Sequence, residues 1–236
     1  MGKRCAATRP TPTDSSRSGG GCDAWLGLTL SGRVWAGNET GRVRLQPPVG
    51  DVYAVDQSSG MVFVAGAKGV AWARWQDQAS GAPDPEWTVA STEPAEMIAG
   101  YQGFLGVSVW YTSRESVCHT GGDPPTCFPV ESVTGLAAGR AGAWVASDGE
   151  LRSVTVDGGP GDPLPHDLGA WFRGVAYDPE RGHLWAWGGD THLHAIGLDA
   201  GTHRTYPAVG ILGAAVADGS LVIVGVPGLP QTARLP

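Results

Sequence analysis

The sequence predicts an all-β fold, a β-propeller of about six short blades behind a flexible N-terminal tether. Three observations lead to this prediction. A pattern of strand, glycine-containing turn and second strand recurs six times along the 236 residues. The chain contains 37 glycines and 18 prolines, which is typical of a backbone that turns often. No segment keeps a helical periodicity, and the longest candidate, PAEMIAGY, is interrupted by Gly100 and Gly103.

The second strand of each unit carries bulky apolar residues and follows a glycine. These glycines are Gly32, Gly60, Gly103, Gly142, Gly182 and Gly219, with spacings of 28, 43, 39, 40 and 37 residues. Most of the spacings are close to the ~40 residues of a four-stranded blade. A β-sandwich does not require near-equal units, so the pattern favours a propeller. The length from Trp25 to Pro236 also suits five blades, which is the alternative.

The strands before these turns are rich in alanine and glycine, as in MIAGYQG and GLAAGRAG. Small side chains are needed where the innermost strands of all blades crowd around one axis, so these segments are predicted to be innermost. The first unit is short, and the last ends after three strands. We therefore expect part of the N-terminal segment, or the strand before Trp25, to close the ring by pairing with the last blade.

Two of the units resemble the repeats of a known family. Residues 174–202 (GVAYDPERGHLWAWGGDTHLHAIGLDAGT) and 52–75 (VYAVDQSSGMVFVAGAKGVAWARW) are similar to NHL/YVTN-type and gluconolactonase-like propeller repeats. The shared run is apolar-Ala-x-Asp-x-x-x-Gly-x-Leu-aromatic-Ala, followed by a tight turn. The resemblance implies propeller architecture for roughly residues 24–236. It also implies an alternative function, that of a metal-dependent hydrolase of the gluconolactonase-like kind.

The N-terminal residues 1–22 are rich in serine, threonine, proline and glycine. They are predicted to be a flexible tether, followed by one propeller domain over residues 23–236. No apolar stretch follows Lys3 and Arg4, so a complete signal peptide is not visible. A cysteine before a polar tether resembles the layout of a mature bacterial lipoprotein, although residues 2–4 are not a lipobox. Lipidation of Cys5, its pairing with Cys22 and a free thiol all stay open.

The charge balance bears on the class of partner. The net charge is −7, and no basic cluster occurs beyond the first 20 residues, which argues against a nucleic-acid partner. No apolar run approaches the ~18 residues that span a bilayer, so no transmembrane segment is expected.

Two cysteines flank a predicted hairpin. The segment from Cys118 to Cys127, CHTGGDPPTC, has Gly-Gly and Pro-Pro pairs at its centre. Cross-strand Cβ atoms lie near disulfide distance, so we predict a Cys118–Cys127 disulfide. The alternative is two unpaired surface thiols. A disulfide would imply an oxidising compartment, and hence an exported protein that is periplasmic, outer-membrane-tethered or extracellular.

The fifth unit contains a candidate metal site. His192 and His194 are two apart on a predicted strand and share a side, with Asp190 just before them. Imidazole and carboxylate are suitable ligands for zinc or copper, with His183 the nearest further histidine along the chain. The alternative is a pair of histidines on the exposed face of an outer strand.

The ten tryptophans divide between core and surface. Most are predicted to pack between blades. Exposed aromatics can stack on sugars or anchor a protein partner. The candidates for such surface positions are Trp75, Trp87, Trp171 and Trp187.

No catalytic motif accompanies the repeat. The sequence contains no G-x-S-x-G, H-E-x-x-H or P-loop pattern, and no convincing set of oxygen ligands for calcium. We therefore expect a non-catalytic binding or scaffold module with no cofactor, a divalent metal being the alternative. Its loops would bind a protein or a glycan, or it would act as a subunit of a larger assembly.

Overall fold

The computed structural model describes most of the chain after residue 23 and a short segment before it. The described residues are 4–7, 24–29, 31–38, 41–58, 60–74, 84–103, 106–120, 124–164, 171–199, 201–208, 210–217, 220–225 and 230–234. All regular secondary structure in these ranges is β-strand, as the sequence predicts. Accordingly, no described segment is a helix long and apolar enough to cross a membrane.

The strands group into sheets of consecutive segments. The first twelve strands are β1 (Arg4–Ala7), β2 (Ala24–Leu28), β3 (Val34–Asn38), β4 (Gly41–Leu45), β5 (Val52–Ser58), β6 (Met61–Gly66), β7 (Gly69–Arg74), β8 (Thr88–Ser91), β9 (Ile98–Gly103), β10 (Gly106–Ser113), β11 (Ser116–His119) and β12 (Thr126–Pro129). The remaining strands are β13 (Val133–Gly139), β14 (Gly142–Ser147), β15 (Glu150–Thr155), β16 (Gly159–Pro163), β17 (Phe172–Asp178), β18 (His183–Gly188), β19 (His192–Gly197), β20 (His203–Pro207), β21 (Ile211–Ala217), β22 (Ser220–Gly225) and β23 (Pro230–Arg234).

Within the described residues there are five four-stranded sheets, β1–β4, β5–β8, β9–β12, β13–β16 and β17–β20, and a three-stranded sheet, β21–β23. Neighbouring strands are antiparallel except β1 and β2, which are parallel. The leading antiparallel strands lie side by side in the order β2, β5, β9, β13, β17 and β21. Strand β1 lies against both β2 and β21 and so links the two ends of this series. The sheets are therefore arranged radially, as in a β-propeller.

The N-terminal strand pairs with a different partner from the one expected. We expected the N-terminal segment to pair with the last sheet, but β1 pairs with β2, with Arg4 opposite Ala24 and Ala7 opposite Gly27. In this position β1 supplies hydrogen-bond partners to the inner edge of β2 and does not extend the last sheet beyond β23. Apart from β1, the predicted tether lies outside the described residues, so its boundary with the domain stays a prediction.

Apolar side chains fill the spaces between successive sheets. Val34 of the first sheet packs with Val55 and Val64 of the second in one cluster, and Phe63 packs with Val109 in the next. Further clusters join the third sheet to the fourth, the fourth to the fifth and the fifth to the last. The second to fifth sheets are thus buried on both faces, which explains the nearly continuous apolar run of strand β6.

Small residues allow the leading strands to approach one another. A Cβ atom at Gly135 in β13 would lie only 2.7 Å from the Cα atom of Gly174 in β17. Gly100 in β9 likewise leaves the space that the ring of Phe63 occupies. These close approaches are the physical reason for the alanine and glycine content of the leading strands.

Candidate functional site

A repeated β-bulge places side chains at one end of the ring. In four sheets the register between the first two strands shifts around the second residue of the leading strand. The residues at these bulges are Tyr53, Thr134, Arg173 and Leu212, and each is exposed. Because the leading strands begin at the same end of the ring, all four bulges and their exposed residues lie at that end. We call this end, together with Trp171, the upper face.

Trp171 is an exposed aromatic residue on the upper face, and hydrogen bonds fix the backbone around it. Its side chain is 59% exposed. A Cβ atom at Gly149 would lie 2.6 Å from Cδ2 of Trp171, so the indole covers this glycine. The backbone is held on both sides, since the Phe172 N–H bonds to the Gly149 carbonyl and the Trp171 carbonyl accepts from Gly189 N–H at 2.9 Å. The exposed ring is therefore presented from a hydrogen-bonded backbone.

A hydrogen-bonded chain of three side chains begins next to Trp171. Asp190 lies in the turn between β18 and β19, directly after Gly189. Its Oδ2 atom is 2.9 Å from Nε2 of His194, and Nδ1 of His194 is 3.0 Å from Nε2 of His203. His194 is 2% exposed and meets the ring of Phe172 edge to face, whereas His203 is exposed on β20. The chain therefore runs from a partly buried carboxylate to an exposed imidazole.

The hydrogen-bond partners determine the neutral tautomers of this chain. An ionised Asp190 can only accept, so Nε2 of His194 carries the hydrogen. Nδ1 of neutral His194 is then an acceptor, and Nε2 of His203 must donate to it. The ring planes of His194 and His203 are parallel to within 3°, with centroids 5.2 Å apart. The arrangement leaves Nδ1 of His203 as the proton-accepting end of the chain.

Among these side chains, the surroundings change the pKa of His203. Burial lowers the pKa of His203, and the proximity of His194 lowers it further. At Asp190, the second oxygen Oδ1 is buried and has no hydrogen-bond partner among the described residues. His192 is nearer the solvent, with Nδ1 3.5 Å from Oδ2 of Asp190. The four side chains therefore form one polar cluster, in which Asp190, His194 and His203 are joined by hydrogen bonds.

The predicted metal ligands Asp190, His192 and His194 do lie together in the structure. However, both ring nitrogens of His194 are in hydrogen bonds, so a metal ion would have to displace Asp190 or His203. In the described part of the chain, no group of three or more His, Cys, Asp or Glu residues is arranged to hold a metal ion. A metal at these three residues stays a prediction.

Sequence reasoning missed His203. This residue lies on β20, where it pairs with Ile196 of β19; it is two residues from Thr205, the partner of His194, and is therefore diagonal to His194. The signal was present, because the histidine begins a segment, HRTYPAV, that reads as the fourth strand of the same unit. Its contact with His194 depends on the register between the two strands, which composition does not specify.

The candidate surface tryptophans have different outcomes. Trp171 is exposed, and Trp87 is half-buried against the cluster between the first two sheets. Trp187 is only 9% exposed because its indole fills the space above Gly174, and it is not a surface aromatic as we predicted. Trp75 lies outside the described residues.

The predicted disulfide between Cys118 and Cys127 is present. The two residues are directly opposite in β11 and β12, with Cα atoms 4.0 Å apart. It fastens the outermost strand of the third sheet, on the side away from β9.

This chain has matches among solved structures but none in the two sequence comparisons. No protein-family model matches it, and no curated protein matches it in sequence. A chain of the nidogen/laminin complex aligns with a TM-score of 0.62 at 12% identity, over 83% of this chain and 82% of that chain. Virginiamycin B lyase from Staphylococcus aureus aligns with a TM-score of 0.62 at 11% identity, over 90% of this chain and 80% of that chain.

PorZ, an essential bacterial surface component of the type-IX secretion system of Porphyromonas gingivalis, aligns with a TM-score of 0.60 at 15% identity. The alignment covers 89% of this chain but only 30% of the PorZ chain. All three are β-propeller-like proteins, and at these identities the similarity shows the fold alone. The chain therefore has a propeller-like fold.

Proposed function

We propose that the chain is an exported β-propeller of six blades, counting the three-stranded sheet as the sixth, that binds a protein partner through its upper face. The observation that carries the proposal is the convergence of exposed side chains at the start of the leading strands. Its activity in this proposal is binding, and no catalytic group or cofactor is needed.

The composition of the upper face supports protein binding. Tyr53 is 52% exposed, Leu212 is 53% exposed, and with Trp171 they are three of the five exposed large hydrophobic side chains in the described residues. Arg173 lies two residues from Trp171 on the same face. Aromatic residues and arginine are enriched in interface centres, where they supply most of the binding energy. Anchors held by hydrogen-bonded strands also lose little conformational entropy on binding.

Two of the similar structures fit this proposal. One is part of a protein complex, nidogen with laminin, and another is a surface component of a secretion system. The Cys118–Cys127 disulfide supports export, because disulfides persist in oxidising compartments and are rare in the cytosol. A lipoprotein-like attachment at Cys5 would be compatible with a surface location.

The test compares two sets of exposed substitutions. The upper-face variant combines Tyr53→Ser, Trp171→Ser and Leu212→Ser. The control combines Val89→Ser and Val156→Ser, the other two exposed large hydrophobics, which lie outside the upper face. Tagged proteins are expressed in the cells that make the chain, cross-linked and purified, and any retained partner is then purified for binding measurements.

We expect one stoichiometric protein to be retained by the wild type and by the control. Its Kd for the upper-face variant should be at least tenfold weaker, since each lost anchor costs about 1–2 kcal/mol or more. Equal binding by the upper-face variant would reject this surface as the site. Retention of glycan without protein would reject a protein partner.

The alternative, a metal-dependent hydrolase, rests on Asp190, His192 and His194. The buried, unpaired Oδ1 atom of Asp190 is the observation in its favour. Metal analysis of the purified protein distinguishes the two functions. A stoichiometric, chelator-sensitive ion that is lost in His192→Gln would favour the hydrolase, and metal-free protein that keeps its partner would favour the binding module.

A further inference from the structure

A small cationic cleft lies on the fifth sheet, at the end away from the upper face. It has a volume of about 220 Å³ and is lined by side chains of β18, β19 and β20 and of the adjoining turns. Arg204 of β20, Ala195 of β19 and Trp185 of β18 form one row across the sheet. This row faces the last sheet, whereas His194 and Ala186 belong to the opposite face. The cleft is therefore separate from the histidine chain and from the upper face.

The cleft concentrates positive charge in an acidic protein. The guanidinium groups of Arg181 and Arg204 line it, and its described lining contains no Asp or Glu, although the whole chain has a net charge of −7. Asp178 holds Nη1 of Arg181 at 3.2 Å, which positions this guanidinium. Arginine has five N–H donors, so Arg181 retains donors beyond this contact. Arg204 is exposed and well suited to bind a carboxylate in a bidentate manner.

The wall of the cleft also contains a buried donor without an acceptor. Trp185 lines the cleft and is 3% exposed, and its indole Nε1 has no hydrogen-bond acceptor among the described residues. A buried N–H without an acceptor is costly, and most such groups in proteins are satisfied. An oxygen atom of a bound molecule would satisfy it.

The floor of the cleft adds groups that suit a hydroxyl. A Cβ atom at Gly197 would overlap the hydroxyl of Thr202 and would lie 3.5 Å from Nε2 of His183. The glycine thus leaves open a space bordered by both groups. Nδ1 of His183 is 2.8 Å from the carbonyl of Arg181 and must donate to it, so Nε2 of the neutral ring is an acceptor. Tyr206 lines the side of the cleft and contacts Trp185 at a centroid distance of 5.8 Å.

From these groups we infer that the cleft binds a small hydroxylated carboxylate of sugar-acid size. The arginines would hold the carboxylate, and Nε2 of His183 would accept from a hydroxyl. The volume is below the ~300 Å³ at which pockets for drug-sized ligands begin, so it suits a single sugar unit. This inference uses none of the residues of the proposed protein-binding surface, and each can fail without the other.

The test follows the indole N–H resonance of Trp185 by NMR, identified by its loss in Trp185→Phe. The probes are glucuronate, neutral glucose and inorganic phosphate, each added at constant ionic strength. We expect saturable shifts with glucuronate and none with glucose. A galacturonate oligomer then distinguishes a uronic acid within a glycan from a free sugar acid, according to which of the two binds more tightly.

The key variant is Arg204→Gln, because Arg204 is exposed and its loss should not prevent folding. We expect its affinity for glucuronate to be at least tenfold weaker. The matched control is Arg140→Gln, which removes the same charge from an exposed turn outside the cleft and should bind as wild type does. The inference is overturned if glucuronate leaves the resonance unmoved, if phosphate binds as tightly, or if Arg204→Gln and Arg140→Gln behave alike.

Discussion

The carboxylate of Asp56 accepts a hydrogen bond from the backbone N–H of Gly100 at 2.8 Å, and so joins the leading strands of two neighbouring sheets. Burial raises the pKa of Asp56, while the backbone N–H groups of Gly100 and Gln57 oppose the shift. Because the folded-state pKa is raised, the folded protein binds the proton more tightly than the unfolded chain. This contribution to stability is complete below the unfolded pKa of about 4 and is lost as the pH rises through the folded pKa.

Asp56→Asn should therefore gain stability relative to the wild type as the pH rises from 4 to 7. Asparagine keeps a carbonyl acceptor for the N–H of Gly100 but has no charge to desolvate. Urea unfolding at several pH values measures the difference. Asp56→Ala separates the hydrogen bond from the charge, since it should show the same trend plus a constant loss of about 1–3 kcal/mol. A pH-independent difference between Asp56→Asn and the wild type would contradict the prediction.

His119 should act on stability in the opposite direction. The ring is buried against Trp110, Nε2 is 2.9 Å from Oγ of Ser108, and Nδ1 has no hydrogen-bond partner among the described residues. Burial lowers the pKa of His119. The unfolded chain therefore takes up a proton first, and stability present above about pH 6.5 is lost as the pH falls through the folded pKa.

His119→Gln should lose less unfolding free energy than the wild type between pH 7 and pH 5. The opposing contribution of Asp56 can mask this effect in the wild-type profile, so the measurement is made in the Asp56→Asn background. Parallel profiles for the two His119 forms in that background would show that the histidine does not titrate in the expected way.

The sequence predicted best those structural features that depend on residues close together in the chain. Alternation, turns and small residues predicted the strands around Gly100, and the turn between Cys118 and Cys127 predicted their bond. By contrast, the contact of His194 with His203 depends on strand register. The bulges at Tyr53 and Arg173 could not be predicted either. A bulge is a feature of backbone pairing, and these two residues have no side-chain chemistry in common that would mark it. Trp187 was misassigned because its environment is set by Gly174 on a neighbouring strand.

Breaking the Cys118–Cys127 bond should lower the free energy of unfolding by about 2–3 kcal/mol. The bond closes a loop with a sequence separation of 9, and the loss of chain entropy in the unfolded state gives this magnitude. Cys127→Ser tests the bond, since Cys127 is exposed whereas Cys118 is buried. The background carries Cys5→Ser and Cys22→Ser, so that adding reductant affects only this pair. Reductant should destabilise the parent to the level of Cys127→Ser, and an unchanged urea midpoint would contradict the prediction.

Gly174→Ala should destabilise the protein by about 1–3 kcal/mol, because the new methyl group would overlap the indole of Trp187. Adding Trp187→Phe should recover part of this loss, since the smaller ring vacates the site. Thermal and urea unfolding of the four proteins form a double-mutant cycle. Gly189→Ala is the control, because its nearest neighbour would be 3.9 Å away. Strict additivity of Gly174→Ala and Trp187→Phe would rule out the overlap as the cause.

Replacing His194 should raise the pKa of His203 towards its ordinary value. Burial is the larger cause of the lowered pKa and persists in the variant, so the rise in His194→Gln should be partial. Titration of the His203 ring by NMR measures it, and long-range nitrogen correlations should show hydrogen on Nε2 of neutral His203 in the wild type. His192→Gln is the control, because His192 contacts Asp190 and forms no hydrogen bond with His203 in the described part of the chain. An unshifted His203 in His194→Gln, or hydrogen on Nδ1 in the wild type, would mean that the chain from Asp190 does not control the exposed imidazole.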